Sequence, residues 1–344
     1  MKERLTIFLR RLISPLPNRG SSILIFVLWS LAFLSFLGLY LSLGIRQKIS
    51  LVNRLTFRDN LLFIAEAGVK KAILELAKDE GPSDFLKENW SNNPAVFKEV
   101  RVGLGKFSVF YETSDGEVRY GLIDEERKIN INKIDYPVIK RLLEIVAGLD
   151  EMNSQELASS ILDWRDEDSF LSIPVGSAED RYYQNLIRPY DCKDSNFEVI
   201  EELGLVKGMT KDIFESIKDF ITLYGTGSVN INTAPREVLL SLGLEEELVE
   251  KILSFRRGDD GIEGNSDDNF FEAPSEITAK LSQFSPLTSE EVAQLSNLTS
   301  QGVFTTSSYY FKVRSQAFIP SSTFKREIIC IIDRGGRILS WREI

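Results

Sequence analysis

Two stretches of the sequence concentrate carboxylates densely enough to hold a cation. In Gly258-Asp259-Asp260-Gly261-Ile262-Glu263-Gly264-Asn265-Ser266-Asp267-Asp268-Asn269, the carboxylates of Asp259, Asp260, Glu263, Asp267 and Asp268 and two asparagine carbonyls share a glycine-rich loop. Hard oxygen donors on such a loop suit calcium. It is not an EF-hand, because the regular acid spacing and the terminal glutamate of that loop are missing, and a solvated acidic loop is the competing reading. Asp163, Asp166, Glu167 and Asp168 form a second cluster. There Asp163, Asp166 and Asp168 are candidate ligands, although the Asp163-Trp164 pair can equally end a helix and pack. No cofactor other than calcium is expected.

Other chemistry is poorly supported. The 344 residues contain no histidine, which removes the commonest general base and the commonest metal ligand together. Cys192 and Cys330 form no CxxC pair, so neither a zinc knuckle nor a thioredoxin-type site is legible. They can be two buried thiols or one disulfide. A hydrolase has only acid pairs behind it, without GxSxG, HExxH or a phosphate loop. No catalytic residue is assigned, and the chain is expected not to be an enzyme.

The elements that must carry these loops begin with a membrane span. Gly20 to Ile45 holds no charge, and at about 1.5 Å per residue the apolar run from Ile23 to Ile45 crosses a hydrocarbon core of about 30 Å. Lys2, Arg4, Arg10, Arg11 and Arg19 precede it against the single acid Glu3, which keeps the N-terminus in the cytoplasm and sends the rest outward. Arg46, Lys48, Arg54 and Arg58 follow the span and weaken that orientation. No proline lies between Pro17 and Pro82, and apolar residues continue at helical spacing through Leu62, Ala65, Val69, Ile73 and Leu76. One helix is therefore predicted from the span to about Lys78.

Strands are predicted at 96–102, 106–113 and 117–123, with a turn at Ser114-Asp115-Gly116, and again at 308–319, 325–333 and 337–341, with a tight Gly335-Gly336 turn. Three strands make too small a sheet, so the two sets are read as one sheet split by an insertion. The inserted region has helical periodicity at 138–146, 157–164, 213–221, 238–242 and 248–255. It also repeats itself: Lys128-Ile129-Asn130-Ile131-Asn132 returns as Ser228-Val229-Asn230-Ile231-Asn232, each followed by a proline at a helix start, Pro137 and Pro235. Each asparagine pair is read as turn and capping chemistry in preference to a ligand role.

Pro17-Asn18-Arg19-Gly20-Ser21-Ser22 resembles a type IV prepilin leader. That resemblance implies cleavage by a prepilin peptidase between Gly20 and Ser21, with an uncleaved signal anchor as the alternative. Ile161 to Asp166, Ala178 to Tyr183, Leu205 to Thr210, Val229 to Pro235 and the closing Leu339-Ser340-Trp341-Arg342-Glu343 are similar, in order and spacing, to signatures of the type II secretion family called general secretion pathway protein K.

The family implies an α+β, type IV pilin-like fold: a long N-terminal transmembrane helix and an antiparallel sheet, interrupted by a large all-α insert of helix-hairpin-helix or SAM-like kind. The expected divisions are a leader at 1–20, span and helix at 21–58, sheet parts at 59–125 and 303–344, and the insert at 126–302. It further implies a minor pseudopilin of the bacterial inner membrane, single-pass, with a periplasmic C-terminal domain. Its expected partners are the minor pseudopilins I and J and the major pseudopilin at the tip of the pseudopilus, and calcium in the helical domain. The fifth residue after the leader cut is Ile25, where most pilins carry glutamate.

The rival reading is a membrane-anchored helix-hairpin-helix DNA-uptake protein, built on 229–256. Such a hairpin needs glycine-opened N–H groups and nearby cations, whereas Ser241 to Glu247 offers one glycine and three acids. Residues 1–58 hold 9 of the 41 basic and 1 of the 51 acidic residues, leaving 32 against 50 and a net charge of −18 beyond them. So acidic a region repels nucleic acid, and no nucleic-acid partner is expected.

Overall fold

The computed structural model describes residues 19–344 except 114–115, 174–175 and 321–323. Side chains before residue 23, and those of residues 50, 51 and 53–55, are likewise outside the described set. Most of the leader, and the first two residues of the Ser114-Asp115-Gly116 turn, therefore lie beyond description. Gly20 and Ser21 fall in the first turn of a helix, but nothing is described of their side chains. The chain divides into two compact units, 1–60 and 61–344.

In the first unit the described chain is helical. Helix α1, Arg19–Leu76, contains Ile23–Ile49, a stretch long and apolar enough to cross a membrane, with its side chains facing outward. This is the helix the unbroken apolar spacing predicts.

In the second unit the remaining turns of α1 bury Leu61, Ile64, Ala65, Val69, Ala72 and Leu76, a stripe at the three-and-four spacing of one helical face. The stripe packs on an antiparallel sheet. After the short helix α2 (Pro94–Phe97) come β1 (Val100–Val102), β2 (Gly105–Val109), β3 (Tyr111–Glu112), β4 (Val118–Arg119) and β5 (Ile123–Asp124).

The chain then leaves the sheet as β6 (Ile129–Asn130), α3 (Tyr136–Ala147), α4 (Glu151–Arg165), α5 (Asp180–Tyr183), α6 (Lys211–Ile217) and β7 (Ile221–Thr222). A second run follows: β8 (Val229–Asn230), α7 (Arg236–Ser241), α8 (Glu246–Arg256), α9 (Ile277–Phe284), α10 (Ser289–Ser300) and β9 (Phe304–Thr305). The sheet resumes with β10 (Tyr310–Phe318), β11 (Lys325–Asp333) and β12 (Ile338–Glu343), in the order β1-β2-β10-β11-β12, with β5 also beside β10.

The split sheet expected from the sequence is thus present: β10 pairs with β2 through Ser315↔Val109 to Phe318↔Lys106 and with β5 through Phe311↔Asp124. Alternate residues of β10, namely Phe311, Val313, Ser315 and Ala317, face α1. Gly68 permits the closest approach, since a Cβ there would lie 2.1 Å from Ser315 Oγ, which itself donates to Ala65 O at 2.8 Å.

Three local expectations are corrected. Val96 and Phe97 are helical, because Pro94 occupies the first turn of α2. The predicted strand 117–123 is broken into β4 and β5, which lie in different sheets. Gly121 sits between them where a Cβ would be 2.2 Å from Ser91 O, so the chain crosses another backbone there. The helical periodicity at 213–221 ends at Ile217, and Ile221 instead pairs in parallel with Ile129.

The insert has its own core, which includes Ile129, Ile139, Leu157, Trp164, Tyr183, Val229, Leu239, Ile252 and Phe271. Cys192 belongs to that core and Cys330 to the core under the sheet. Both are free thiols.

Candidate metal centre

Asp150 caps the start of α4 by accepting the Asn153 N–H at 2.9 Å. At the other end, the helix delivers the second acidic cluster. Asp163 is fully buried, and its oxygens accept the N–H groups of Ser172 at 2.9 Å and Ala178 at 3.1 Å. This folds the following loop back over the helix end and places Glu179 beside it. Asp180 accepts the Cys192 N–H at 2.7 Å, which brings the 192–194 segment to the same point. Asp194 there adopts φ 50°, a left-handed conformation uncommon outside glycine.

Ligand oxygens of Asp166, Asp168 and Glu179 lie within 4.8 Å of one another, as do those of Glu179 and Asp194 with Cys192 Sγ. Both oxygens of Glu179, Oδ1 of Asp166 and Oδ1 of Asp194 are buried with no hydrogen-bond partner. A buried ionised carboxylate without a partner is costly, so these atoms call for a counter-charge. The same crowding moves their protonation. Burial first, and then Asp168, Asp163 and Asp194, push Asp166 up to about 6. Burial, followed by Asp163 and Asp166, pushes Glu179 up to about 7.

The Cys192 thiol is pushed up to about 12, by burial and then by Glu179, and its Sγ lies 3.5 Å from Asp163 O as a donor. It stays protonated, which leaves an all-carboxylate donor set suited to a hard cation.

Of the residues expected here, Asp166 and Asp168 are brought together, while Asp163 ties the loop. Sequence reasoning missed Glu179 and Asp194. The only signal was the motif Ala178-Glu179-Asp180-Arg181, whose acids are 11 or more residues from Asp168.

The other acidic loop folds differently. Asp267 Oδ2 accepts the N–H groups of Asp259 (2.9 Å) and Asp260 (3.2 Å). Asp260 accepts from Ile262 N and Asn265 Nδ2, and Asp268 Oδ2 from Gly264 N at 2.6 Å. Glu263 pairs with Arg256 at 2.7 Å. Burial alone would raise the Glu263 pKa, but Arg256, Arg127 and Arg257 hold it below the usual range. Among the described residues, no trio of these five carboxylates converges as Asp166, Asp168 and Glu179 do.

A third trio, Asp79, Asp84 and Glu88, already has a counter-charge: Arg334 lies 3.0 Å from Asp79 and pairs with Asp84.

The asparagine pairs do turn chemistry. Asn130 Oδ1 accepts the Asn132 N–H and Asn230 Oδ1 the Asn232 N–H, each at 3.0 Å. At the α7–α8 hairpin, Glu245, Glu246 and Glu247 are exposed at the start of α8, and Arg236 is paired with Glu246 and Glu250. This surface offers carboxylates where a nucleic-acid phosphate would need cations.

A long helix on an antiparallel sheet, with a helical unit inserted between the halves of that sheet, is a pilin-like fold with a helical insert. Residues 122–226 match the family model for type II secretion system (T2SS), protein K. The chain is 24% identical over 231 residues to a putative type II secretion system protein K of Escherichia coli K12, and 24% identical over 200 residues to type II secretion system protein K of Aeromonas hydrophila. These alignments cover 62% and 52% of this chain but only 65% and 56% of the relatives' lengths. The fold is similar to a chain in the crystal structure of the GspK-GspI-GspJ complex of the enterotoxigenic Escherichia coli type 2 secretion system. That match has a TM-score of 0.59 at 15% identity and covers 85% of this chain and 98% of that one. The match of residues 122–226 to that family model agrees with the resemblance to protein K read from the motifs.

Proposed function

We propose that this protein is a minor pseudopilin at the tip of a type II secretion pseudopilus, a non-catalytic assembly subunit that supports export of folded proteins across the outer membrane. The observation that carries the reading is a region matching the protein K family model, set into a pilin-like sheet. Ile23–Ile49 anchors it as a single span in the inner membrane, with the C-terminal domain in the periplasm. Its partners are the minor pseudopilins I and J and the major pseudopilin. The similarity to a member of a GspK-GspI-GspJ complex supports that choice. A prepilin peptidase cuts between Gly20 and Ser21. With Ile25 at the fifth mature position, the subunit buries no carboxylate that would need a neighbour's amine, which suits a place with no subunit above it.

The oxygens left without partners fit calcium, held by Asp166, Asp168, Glu179 and Asp194. The ion would neutralise their mutual repulsion and staple the loop to the end of α4. Isolation of pseudopili with labelled subunit tests the placement: label at one end is expected, and label along the shaft would overturn it. Co-expression with the peptidase should remove 20 residues, and an unprocessed chain would leave a plain signal anchor. Calcium at about 100 times its dissociation constant should stabilise the protein by about 2.7 kcal/mol. That gain should vanish in Glu179→Gln and persist in Asp267→Asn. The reverse pattern would move the site to the 258–269 loop.

A further inference from the structure

The insert is built twice, residue for residue at its joints. Ile129 N and Ile131 N donate to Phe220 O and Thr222 O in the first lobe, and Val229 N and Ile231 N donate to Val303 O and Thr305 O in the second. Asn132 brackets the Phe197 backbone, donating to its carbonyl at 2.9 Å and accepting its N–H at 2.8 Å. Asn232 brackets Phe271 at the same two distances. The arginine ending the second helix of each lobe reaches back across it. Arg165 donates to Ile131 O and Ile134 O, and Arg256 to Ile231 O and Ala234 O.

In both lobes the acidic loop lies between that arginine and the bracketed phenylalanine. The two loops are therefore equivalent parts of a duplicated unit, yet they meet their charge differently. In the first, Glu179, Asp166 and Asp194 leave buried oxygens without a partner. In the second, Asp268 Oδ1 is likewise buried without a partner, but Arg256 holds the Glu263 carboxylate, and cations grip the loop's main chain: Arg119 donates to the Glu263 carbonyl at 2.6 Å and Lys87 to the Asp268 carbonyl at 3.0 Å. Arg119 and Lys87 come from the chain preceding the insert, alongside the sheet. From that side too, Phe85 stacks on Phe270 with ring centres 3.8 Å apart, and Lys87 lies over both rings.

We propose that the 258–269 loop is a metal-independent clamp, in which protein cations hold the second acidic loop and fix the insert on the pilin-like body. The contrast with the first loop rests on the calcium reading above, whereas the clamp does not. Hydrogen exchange on the full chain in detergent, with calcium and then with a chelator, separates the two. Chelation should speed exchange in 163–194 and leave 258–269 unchanged. Arg119→Ala should speed exchange in 258–269 by about tenfold, the usual scale of a lost charged hydrogen bond, and leave 163–194 unchanged. Lys87→Ala gives the same directional test should Arg119→Ala unfold the protein. If chelation moves neither loop, the calcium reading fails and the metal-free clamp is supported. Faster exchange in 258–269 on chelation, restored by calcium, would overturn the clamp, as would unchanged protection of that loop in a folded Arg119→Ala or Lys87→Ala protein.

Discussion

Replacing Glu88 with glutamine should stabilise this protein in alkali and do little in acid. Glu88 Oε2 accepts both the Phe85 N–H at 3.0 Å and the Trp90 indole N–H at 2.7 Å, so a glutamine carbonyl can keep both bonds. Burial above all, with added repulsion from Asp79 and Asp84, raises its pKa to about 8 against those two hydrogen bonds. A carboxyl whose folded pKa is raised favours the folded state most below its unfolded pKa, about 4.3, and that advantage is lost as pH climbs toward the folded value. The unscreened linkage over that interval is of order 4–5 kcal/mol, and partial exposure of the side chain reduces it to roughly 1–2 kcal/mol. Glutamine mimics the protonated form at every pH. Urea unfolding of the full chain in detergent at pH 5 and pH 9 should therefore show Glu88→Gln neutral at the lower pH and stabilising by about that amount at the higher. An equal effect at both pH values, or a loss at pH 9, would refute the argument.

Other outcomes follow from close contacts. Gly68→Ala should cost about 1–3 kcal/mol by forcing α1 off Ser315, read as a lower urea midpoint, and Ser315→Gly in the same chain should recover part of it. Asn232→Ala removes both bonds to Phe271, and Asn132→Ala both bonds to Phe197. Each should cost about 2–3 kcal/mol, and similar losses for the two would support the equivalence of the lobes. A gel-shift titration at low salt should detect no DNA binding by the native chain, because the start of α8 presents Glu245, Glu246 and Glu247.

The long helix, the split sheet and the doubled asparagine motif were legible because each rests on local periodicity or on identical residues. The small parallel pairs β6–β7 and β8–β9 were not: two residues give no alternation to count, and their partners lie more than 70 positions away. A shorter separation was enough to hide half of the candidate metal site. Asp166 and Asp168 announced themselves as a cluster, but Glu179 and Asp194 are delivered by hydrogen bonds of Asp163 and Asp180 that no spacing rule encodes. In the 258–269 loop, composition suggested a cation site. The charges that meet it, Arg119 and Arg256, come from a distant strand and a helix end.

Where the chain leaves the sheet after β5 and where it returns in β10 are neighbours: Glu125 N donates to Tyr310 O at 2.8 Å, and the Glu126 carboxylate accepts the N–H groups of Tyr309 and Tyr310. To the sheet, the whole insert is a hairpin loop. Closing roughly 180 disordered residues costs about 3 kcal/mol more chain entropy than closing a turn of about four. An insert that folds on its own, with β6 paired to β7, β8 paired to β9 and Asn230 N donating to Glu126 O at 2.8 Å, takes up much of that penalty before the sheet assembles. The duplicated head can therefore vary in size and surface without altering the span the sheet must bridge.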